Sequence, residues 1–274
     1  MQLGNPQVPA WLEEGLGGLE QFIVRATQRY SLRAVDIDQP ALVIPLHGTK
    51  LFTEGGATAE VGVGHYLMLH RALRGTVQNV PGQGDYRAAC IPLPWRVIGL
   101  ARSLLDAHSV PPSPGPNHSH GPLDILYPEL RQLLAVLHDE HADEAALDHA
   151  LLGVLLALHR AGDSQFRLAQ DLSVAARIRL LVAGAPQRDW CSADFEAHLH
   201  MSGATLRRRL ADEDTSLRTV LCDARLHHGL ALLQTTRRPL RAIAAACGYR
   251  SLPSFCRQFA ARFGVEPLAI GGVD

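Results

Sequence analysis

The segment MSGATLRRRLADE, residues 201–213, places arginines between two leucines that are four positions apart. Leu206 and Leu210 would share one face of a helix. Arg207 and Arg208 would then project from another face. A guanidinium is a planar fork of N–H donors that matches the two acceptors of guanine and also holds phosphate oxygens. Such side chains can bind DNA, although the same pattern is also typical of a solvated helix face.

A second segment, SLPSFCRQFAARF, residues 251–263, repeats this arrangement. Phe255 and Phe259 would anchor a helix to the domain. Arg257 lies two positions from each anchor and would project from the opposite face, and Ser254 would also face outward. Two copies in register indicate more than chance placement of surface arginines.

Both segments belong to an internal repeat. Its apolar positions recur 48 or 49 residues later: Phe195 as Ile243, Leu199 as Cys247, Leu206 as Phe255, and Leu210 as Phe259. Each copy predicts a helix, a short turn and a second helix, with one residue added in the second turn. The apolar positions would lock the two helices at a fixed angle. This is the geometry of a helix-turn-helix unit, whose second helix can lie in the major groove of DNA.

The chain from residue 173 onward is predicted to be entirely helical. The candidate N-caps are Ser173, Ser192 and Ser251. Pro239 suits a helix start, and Gly248 suits a helix stop in the left-handed conformation. The helices of the repeat region are predicted at 203–213, 217–233, 240–247 and 252–263.

With these motifs, residues 173–270 resemble the DNA-binding domain of the AraC/XylS family of bacterial transcription regulators. The resemblance is carried by Trp190, by the segment 201–213, and by RLHHGLALLQTTRRPLRAIAAACGYRSLPSFCRQFAARFGVEP, residues 225–267. It implies two helix-turn-helix units that enter successive major grooves of double-stranded DNA, with RNA polymerase as a further partner. The base-facing positions that it implies are Ala204, Arg207 and Arg208 in the first unit, and Pro253, Ser254 and Arg257 in the second.

The sequence departs from the family pattern at four places. Glu196 stands where the family has a small Ala at the helix crossing, and His200 stands where the turn has Gly. Both changes are expected to loosen the first unit. Pro253 replaces a side chain that could read a base, and the aromatic-Arg ending after Pro267 is absent.

Residues from about 33 to 100 have a different pattern of apolar and turn-forming residues. Short apolar runs are broken by Gly, Pro and Asn, which is typical of antiparallel strands in a sandwich or barrel. The runs QPALVIPLHGTKLF (39–52) and VGVGHYLMLH (61–70) resemble the cupin-like sensor domain of many family members, which implies a small-molecule effector inside a barrel. Residues 11–30 are predicted to be helical. The predicted fold class is therefore α+β: an N-terminal cupin-like antiparallel β-barrel, then dimerisation helices, then an all-α domain with two helix-turn-helix units.

Several polar residues of the strand-like region are candidates for effector binding: His47, Lys50, His65, Tyr66, His70 and Arg71. Each of them also has an ordinary structural or exposed interpretation. Arg71, Arg74 and Arg87 would favour an anionic effector.

The 14 histidines invite a metal hypothesis. A catalytic cupin needs closely spaced histidines and a carboxylate that point into the barrel. His65 and His70 are five residues apart and would face opposite sides of a strand. The sequence also lacks a phosphate-binding loop, a nucleophile elbow and a dinucleotide fingerprint. We therefore expect no metal, no cofactor and no enzymatic activity.

The segment SVPPSPGPNHSHGP, residues 109–122, is predicted to be a loop or linker. Leucines then recur at helical spacing, and LDHALLGVLLALH, residues 147–159, is apolar nearly all round. Such a helix needs cover on several faces, which favours a homodimer formed by residues 123–160 over purely internal packing. The predicted domains are residues 1–165, for effector binding and dimerisation, and residues 166–274, for DNA binding.

The composition is that of a globular protein, with 47% hydrophobic and 19% charged residues and a formal net charge of -1. Residues 171–274 carry 14 arginines, no lysine and 10 acidic residues, so this part is basic and the remainder is acidic. The five cysteines form no Cys-x-x-Cys pair. With neither a signal-peptide pattern nor a long apolar stretch, the sequence predicts a cytoplasmic protein that does not span a membrane.

Two classes of function fit these observations. The first is a DNA-binding transcription regulator, an activator by family resemblance, gated by a small-molecule effector in the N-terminal domain. The second is a small-molecule-binding or metal-dependent cupin protein whose helical C-terminal part serves only for assembly.

Overall fold

The short apolar runs of the first half pair into two antiparallel sheets in the computed structural model, which describes residues 8–108, 110, 112–170 and 172–270. The strands are β1 (Ile23–Ala26), β2 (Tyr30–Ile37), β3 (Ala41–His47), β4 (Thr49–Glu54), β5 (Ala57–Gly62), β6 (His65–Leu69), β7 (Leu73–Val80), β8 (Tyr86–Pro92) and β9 (His118–Pro122). One sheet has the order β1-β8-β3-β6-β9, and the other has the order β2-β7-β4-β5. Ser109 and Pro111 of the predicted linker, and the outer ends of both predicted domains, lie outside the described residues.

The five-stranded sheet lies between the helices of the N-terminal part and the four-stranded sheet, as β3 illustrates. This strand has five consecutive buried residues at its centre because both of its faces are covered. Leu42 and Ile44 pack with the helices of the N-terminal part, whereas Val43 faces the four-stranded sheet. The predicted antiparallel β architecture is thus confirmed, although the strands form two facing sheets rather than the closed barrel that was predicted.

The remaining chain is helical. The helices are α1 (Ala10–Gly17), α2 (Trp95–Asp106), α3 (Tyr127–Leu137), α4 (Glu144–Arg160), α5 (Val174–Gly184), α6 (Ser192–Leu199), α7 (Gly203–Asp212), α8 (Leu217–Thr235), α9 (Leu240–Ala246) and α10 (Leu252–Phe263). The structure thus confirms the helices predicted for the repeat region to within two residues at each end. Ser173 and Ser251 accept the capping hydrogen bonds of α5 and α10, as the sequence predicts.

Three local predictions are wrong. The helix predicted over 11–30 ends at Gly17, because two glycines follow each other and the β-branched Ile23 and Val24 then pair with β8. The N-cap of α6 is Cys191 rather than Ser192, and Asp194 completes that cap. Residues 118–122 form the edge strand β9 instead of a loop; Pro122 is tolerated there because it ends the strand.

The apolar helix α4 is covered within the chain. It packs on α2 and α3, and Leu151, Val154, Leu155 and Leu158 are buried there. Leu152 is half-buried against the same core. Internal packing therefore accounts for the all-round apolar pattern that suggested a subunit contact.

Strand β2, at an edge of its sheet, joins the sheet to the C-terminal helices. A bulge in β2 holds Ala34 at φ +49°, and its carbonyl accepts a hydrogen bond of 2.7 Å from Arg262 of α10. The Nη2 atom of Arg262 donates to the Asp36 carboxylate at 2.6 Å. Just beyond the strand, Asp38 accepts two hydrogen bonds of 2.7 and 2.8 Å from Arg179 of α5. One strand therefore contacts both halves of the C-terminal region.

Asp36 lies among several arginine side chains at this junction. Its carboxylate also accepts from Arg74 Nε at 2.7 Å, and its backbone N–H donates to His227 of α8 at 3.0 Å. Burial alone would raise the pKa of the Asp36 carboxyl, but the hydrogen bond from Arg74 and the nearby charge of Arg179 hold that pKa below its ordinary value. The charged carboxylate is therefore the form that stabilises the docked helices.

We predict that Asp36→Asn lowers the free energy of unfolding by about 3 kcal/mol, because it removes one partner of a buried ion pair and leaves Arg262 under-compensated. In the wild-type protein this stabilisation is present above the pKa of an unfolded aspartate, about 3.9, and is lost as the pH falls through the lower folded-state value. Urea unfolding from pH 3 to pH 7 measures both effects. Glu20→Gln, in an exposed pair with Arg25, is the control and should change stability by less than ~1 kcal/mol.

Candidate nucleic-acid interface

The eight apolar anchors of the repeat are all buried, which confirms the predicted packing of both helix pairs. In the first unit, α6 and α7 enclose Phe195 and Leu206 in a core with α5 and the start of α8. In the second unit, α9 and α10 enclose Ile243 and Phe255 against the later part of α8. Each unit is therefore a helix-turn-helix with its second helix, α7 or α10, partly exposed.

Both turns require a left-handed residue. Gly248 fulfils this in the second unit at φ +78°. His200 occupies the matching place of the first unit at φ +53°, where a side chain is strained. The turn therefore keeps the family geometry in spite of the substitution.

Glu196 is accommodated by a change on the opposing helix. Its Oε1 accepts a hydrogen bond of 2.8 Å from Ser192 Oγ and approaches the start of α7 at Gly203. A Cβ at position 203 would lie 2.7 Å from that oxygen. The large residue on α6 is thus matched by the smallest residue on α7, so the helix crossing is preserved. Glu196 considered alone gives no indication of this pairing with Gly203.

The structure places the predicted base-facing residues on the outer surfaces of α7 and α10. Ala204, Arg207 and Arg208 are exposed on α7, and Arg209 beside them is exposed as well. On α10, Pro253 and Arg257 are exposed in the same way, while Ser254 is half-buried and its hydroxyl accepts a hydrogen bond of 3.0 Å from Gln258. Five of the six side chains are thus accessible to a binding partner, whereas Ser254 is hydrogen-bonded within its own helix.

A cleft of about 560 Å³, which no sequence pattern predicts, lies between α8 and the second unit. It is lined by Leu217, Arg218, Leu221, Cys222, Arg225, Gly248, Tyr249 and Gln258. The Cys222 thiol donates to Gln258 at 3.0 Å and so links α8 to α10 across the cleft. These residues come from separate segments, so no local sequence pattern marks them.

The six candidate effector residues do not form one site. His47 is half-exposed and lies 3.0 Å from Glu13, and His65 is exposed. Arg71 contacts Gln165 at 3.4 Å, beyond the sheets. The six residues therefore do not line a single effector pocket in this fold.

His70 and Tyr66 serve as structural ties. The Nε2 atom of His70 lies 3.0 Å from Ser119 Oγ and 3.2 Å from Asp163 Oδ1. Burial lowers the pKa of His70 to about 3, so its ring is neutral at ordinary pH. Burial likewise raises the pKa of Tyr66 to about 12, and Tyr66 faces the helices rather than the space between the sheets. Both residues fasten the chain after α4 to the five-stranded sheet.

Lys50 is the candidate that lies between the sheets. It is 7% exposed and shares the inner face of β4 with the fully buried Phe52. Its Nζ donates to Asn79 Oδ1 at 3.0 Å. Burial lowers the pKa of Lys50.

In the described part of the chain, no three His, Cys, Asp or Glu side chains converge to hold a metal ion. No helix among the described residues is long and apolar enough to cross a membrane.

Residues 196–270 match a family model described as a helix-turn-helix domain, which is the region that contains both units. The C-terminal part of the chain therefore contains a helix-turn-helix domain. The matched range begins in α6 and ends just after α10, so it includes the second helix of each unit, α7 and α10.

Three curated relatives illustrate the similarity. The HTH-type transcriptional regulator YdeO of Escherichia coli K12 is 29% identical over 52% of this chain and 56% of its own length. The virulence regulon transcriptional activator VirF of Shigella flexneri is 28% identical over 36% of this chain and 38% of its own length. The urease operon transcriptional activator of E. coli is 28% identical over 57% of each chain. The similarity thus spans about half the length of these relatives, or less.

The whole fold resembles that of ToxT from Vibrio cholerae. An apo ToxT variant superposes with a TM-score of 0.61 at 16% identity, covering 89% of this chain and 93% of that one. Wild-type ToxT described as bound to an unsaturated fatty acid gives 0.58 at 15% identity, covering 92% and 95%. The predicted order of an N-terminal β domain, helices and a C-terminal helix-turn-helix domain is therefore confirmed.

The packing of α10 predicts different effects for two of its residues. Phe255 is fully buried, with its ring 5.3 Å from Tyr249 and 5.5 Å from Phe259, so Phe255→Ala should destabilise the protein by ~3–5 kcal/mol through the cavity that it leaves. Arg257→Ala removes an exposed side chain and should change stability by at most ~0.5 kcal/mol. Denaturant unfolding of both variants checks the pair, and an early unfolding of Arg257→Ala would show that this arginine is structural.

Proposed function

We propose that this protein is a sequence-specific DNA-binding transcription regulator of the AraC/XylS type. The observation that carries the proposal is the pair of helix-turn-helix units, each of which buries its apolar anchors and exposes arginines on its second helix. The names of the curated relatives, which are transcriptional regulators and activators, support it.

On this proposal, α7 and α10 enter successive major grooves on one face of the duplex. Arg207, Arg208 and Arg257 then bind guanine edges or phosphates through their guanidinium groups. Ala204 presents a methyl group of the kind that contacts thymine. Pro253 and Ser254 lie in the first turn of α10, which is the end of a recognition helix that meets the bases.

The regulator acts as an activator on this proposal, with RNA polymerase as its partner at the promoter. Two of the relatives are named as activators, which favours this direction of control.

The N-terminal sheets form the sensor on this proposal. A small-molecule effector binds there and changes DNA affinity by a coupling of ~1–3 kcal/mol. The docking of β2 on α5, α8 and α10 supports this assignment, because a change in the sheet reaches the C-terminal helices through direct hydrogen bonds. The ToxT structures described with a bound fatty acid or a naphthalenyl butenoic acid are consistent with an effector in a fold of this kind.

Selection from random duplex DNA, followed by binding isotherms at two salt concentrations, tests DNA recognition. Arg257→Ala should weaken binding to the selected duplex by ~1–3 kcal/mol and relax specificity at one base position. If Arg208 contacts only phosphate, Arg208→Ala should weaken binding to all sequences alike and reduce the salt slope by about one.

Arg160→Ala is the control, because Arg160 lies on α4, far along the chain from both units, and pairs with Glu129. It should leave the selected binding unchanged. A wild-type protein that enriches no sequence would overturn the proposed function, and an Arg257→Ala protein that binds as tightly as wild type would remove α10 from the interface.

We further propose a homodimer formed through the helical layer of α2, α3 and α4. The exposed Leu100 and Leu104 of α2 and the half-buried Leu152 of α4 supply apolar surface for it. Leu104→Glu and Leu152→Glu should each shift the sedimentation coefficient from dimer to monomer at micromolar concentration. Leu268→Glu, at an exposed apolar residue near the C-terminus, should not. A wild-type protein that sediments as a monomer would contradict the dimer.

A further inference from the structure

The side chain of Gln258, on α10, is held by hydrogen bonds at both ends of its amide. Its Oε1 atom accepts from the Cys222 thiol at 3.0 Å and from the Tyr249 hydroxyl at 3.2 Å. Its Nε2 atom donates to the Ser254 hydroxyl oxygen at 3.0 Å. Cys222 belongs to α8, Tyr249 to the turn before α10, and Ser254 to the first turn of α10. Gln258 therefore connects the lining of the cleft to the start of α10.

The two donors on the cleft side decide which way the Gln258 amide points. The orientation of an amide follows from the donors and acceptors around it. A thiol can donate to a carbonyl oxygen, whereas its sulfur is only a weak acceptor of an N–H. Cys222 Sγ and the Tyr249 hydroxyl oxygen lie 3.5 Å apart, so both groups approach the amide from the same side. The amide oxygen therefore faces these two groups, and the amide nitrogen faces Ser254.

This orientation gives the Ser254 hydroxyl a direction. A hydroxyl has one O–H donor and two acceptor lone pairs. Gln258 occupies one lone pair, and among the described residues the Ser254 O–H donates to no acceptor. Accepting a hydrogen bond also polarises a hydroxyl and strengthens it as a donor. Ser254 therefore presents a proton to a molecule that meets α10.

Ser254 lies on the side of α10 that the proposed function places against DNA. It stands beside the exposed Pro253 and three residues before the exposed Arg257, and helical residues three apart are surface neighbours. The buried anchors Phe255 and Phe259 face the core of the second unit. A duplex bound through α10 therefore meets the Ser254 hydroxyl together with the Arg257 guanidinium.

We propose that Gln258 is a positioning residue that makes Ser254 a hydrogen-bond donor to one base, and that cytosine is thereby disfavoured at that base position. In the major groove guanine offers N7 and O6 as acceptors, adenine offers N7 and thymine offers O4, whereas cytosine offers only its N4 amino donor. A hydroxyl proton that meets an amino group is left without an acceptor, which lowers affinity. This inference rests on the proposed DNA-binding function and adds a specificity to it.

Binding isotherms of the full chain on the selected duplex test the inference, with each base pair replaced in turn by the other three. Ser254→Ala identifies the position that Ser254 reads, because it reduces discrimination there alone. At that position, wild-type protein should bind one orientation of the G·C pair, the one with cytosine facing Ser254, more weakly than the other three pairs. The expected difference is about fivefold or more, which corresponds to one unpaired donor.

Gln258→Glu reverses the hydrogen bond with almost no change in side-chain size. A carboxylate only accepts, so it takes the Ser254 proton and leaves the serine oxygen to accept from a base. Cytosine N4 and adenine N6 are the donors of the major groove. This variant should therefore bind the pair with cytosine at least as tightly as the pairs with guanine or thymine. The added charge weakens binding to every duplex alike, so the measured quantity is the ratio between base pairs.

Gln258→Met supplies a second variant without a charge. It keeps a side chain of similar length and removes both hydrogen-bonding groups, so the Ser254 hydroxyl can either donate or accept, and the discrimination against cytosine should be lost. Gln132→Glu makes the same charge change at an exposed residue of α3 and is the control. It should keep the wild-type ratios. Melting curves of all variants accompany the isotherms.

Two results with Ser254 would overturn the inference: a Ser254→Ala protein that changes discrimination at no position, or wild-type protein that binds cytosine as well as the other bases at the position read. Gln258→Glu and Gln258→Met proteins that melt as wild type does and keep its base ratios would show that Ser254 acts without Gln258, which also overturns it. Failure of the proposed function is a different result, because then the wild-type protein enriches no sequence at all.

Discussion

The buried carboxylate of Asp36 is the interaction on which the arrangement of the two domains depends. A carboxylate at 5% exposure is unfavourable unless cations and N–H donors surround it, and here Arg74 and Arg262 bind it directly while Arg179 lies 3.9 Å away. Two of these three arginines belong to the C-terminal domain. The Asp36 charge can therefore be buried only when the helices dock on β2. The ion pairs of Asp36 and the packing of the two domains consequently form together.

This docking makes the two helix-turn-helix units unequal. The first unit, around Phe195 and Leu206, has a core of its own with α5. The core of the second unit, around Phe255 and Phe259, is continuous with the inner face of the β domain. A change in the sheets therefore reaches the second unit through packed side chains, whereas it reaches the first through Arg179 and through α8. The internal symmetry of the sequence is broken by the tertiary structure.

The first unit also carries the departures from the family pattern, and each is compensated locally. Glu196 fits because Gly203 has no side chain to meet it, and Ser192 satisfies one of its oxygens. His200 adopts the left-handed conformation that the turn needs, at the expense of strain that Gly would avoid. The helix crossing survives because the anchors Leu199 and Leu206 remain buried on either side of the turn.

The sequence by itself determined the helical half, because helices depend on contacts three or four residues apart: the anchors Phe255 and Phe259, the cap Ser251 and the stop Gly248 all act within one or two turns. It also indicated strands, but not which polar side chain of a strand faces inward, since register and sheet pairing set that for His47 and Lys50 alike. Only the tertiary structure decided the docking, because Arg262 reaches Asp36 across 226 residues. No local pattern marks such a pair, and the same holds for the buried hydrogen bonds of Lys50 with Asn79 and of Tyr30 with Gln234 of α8.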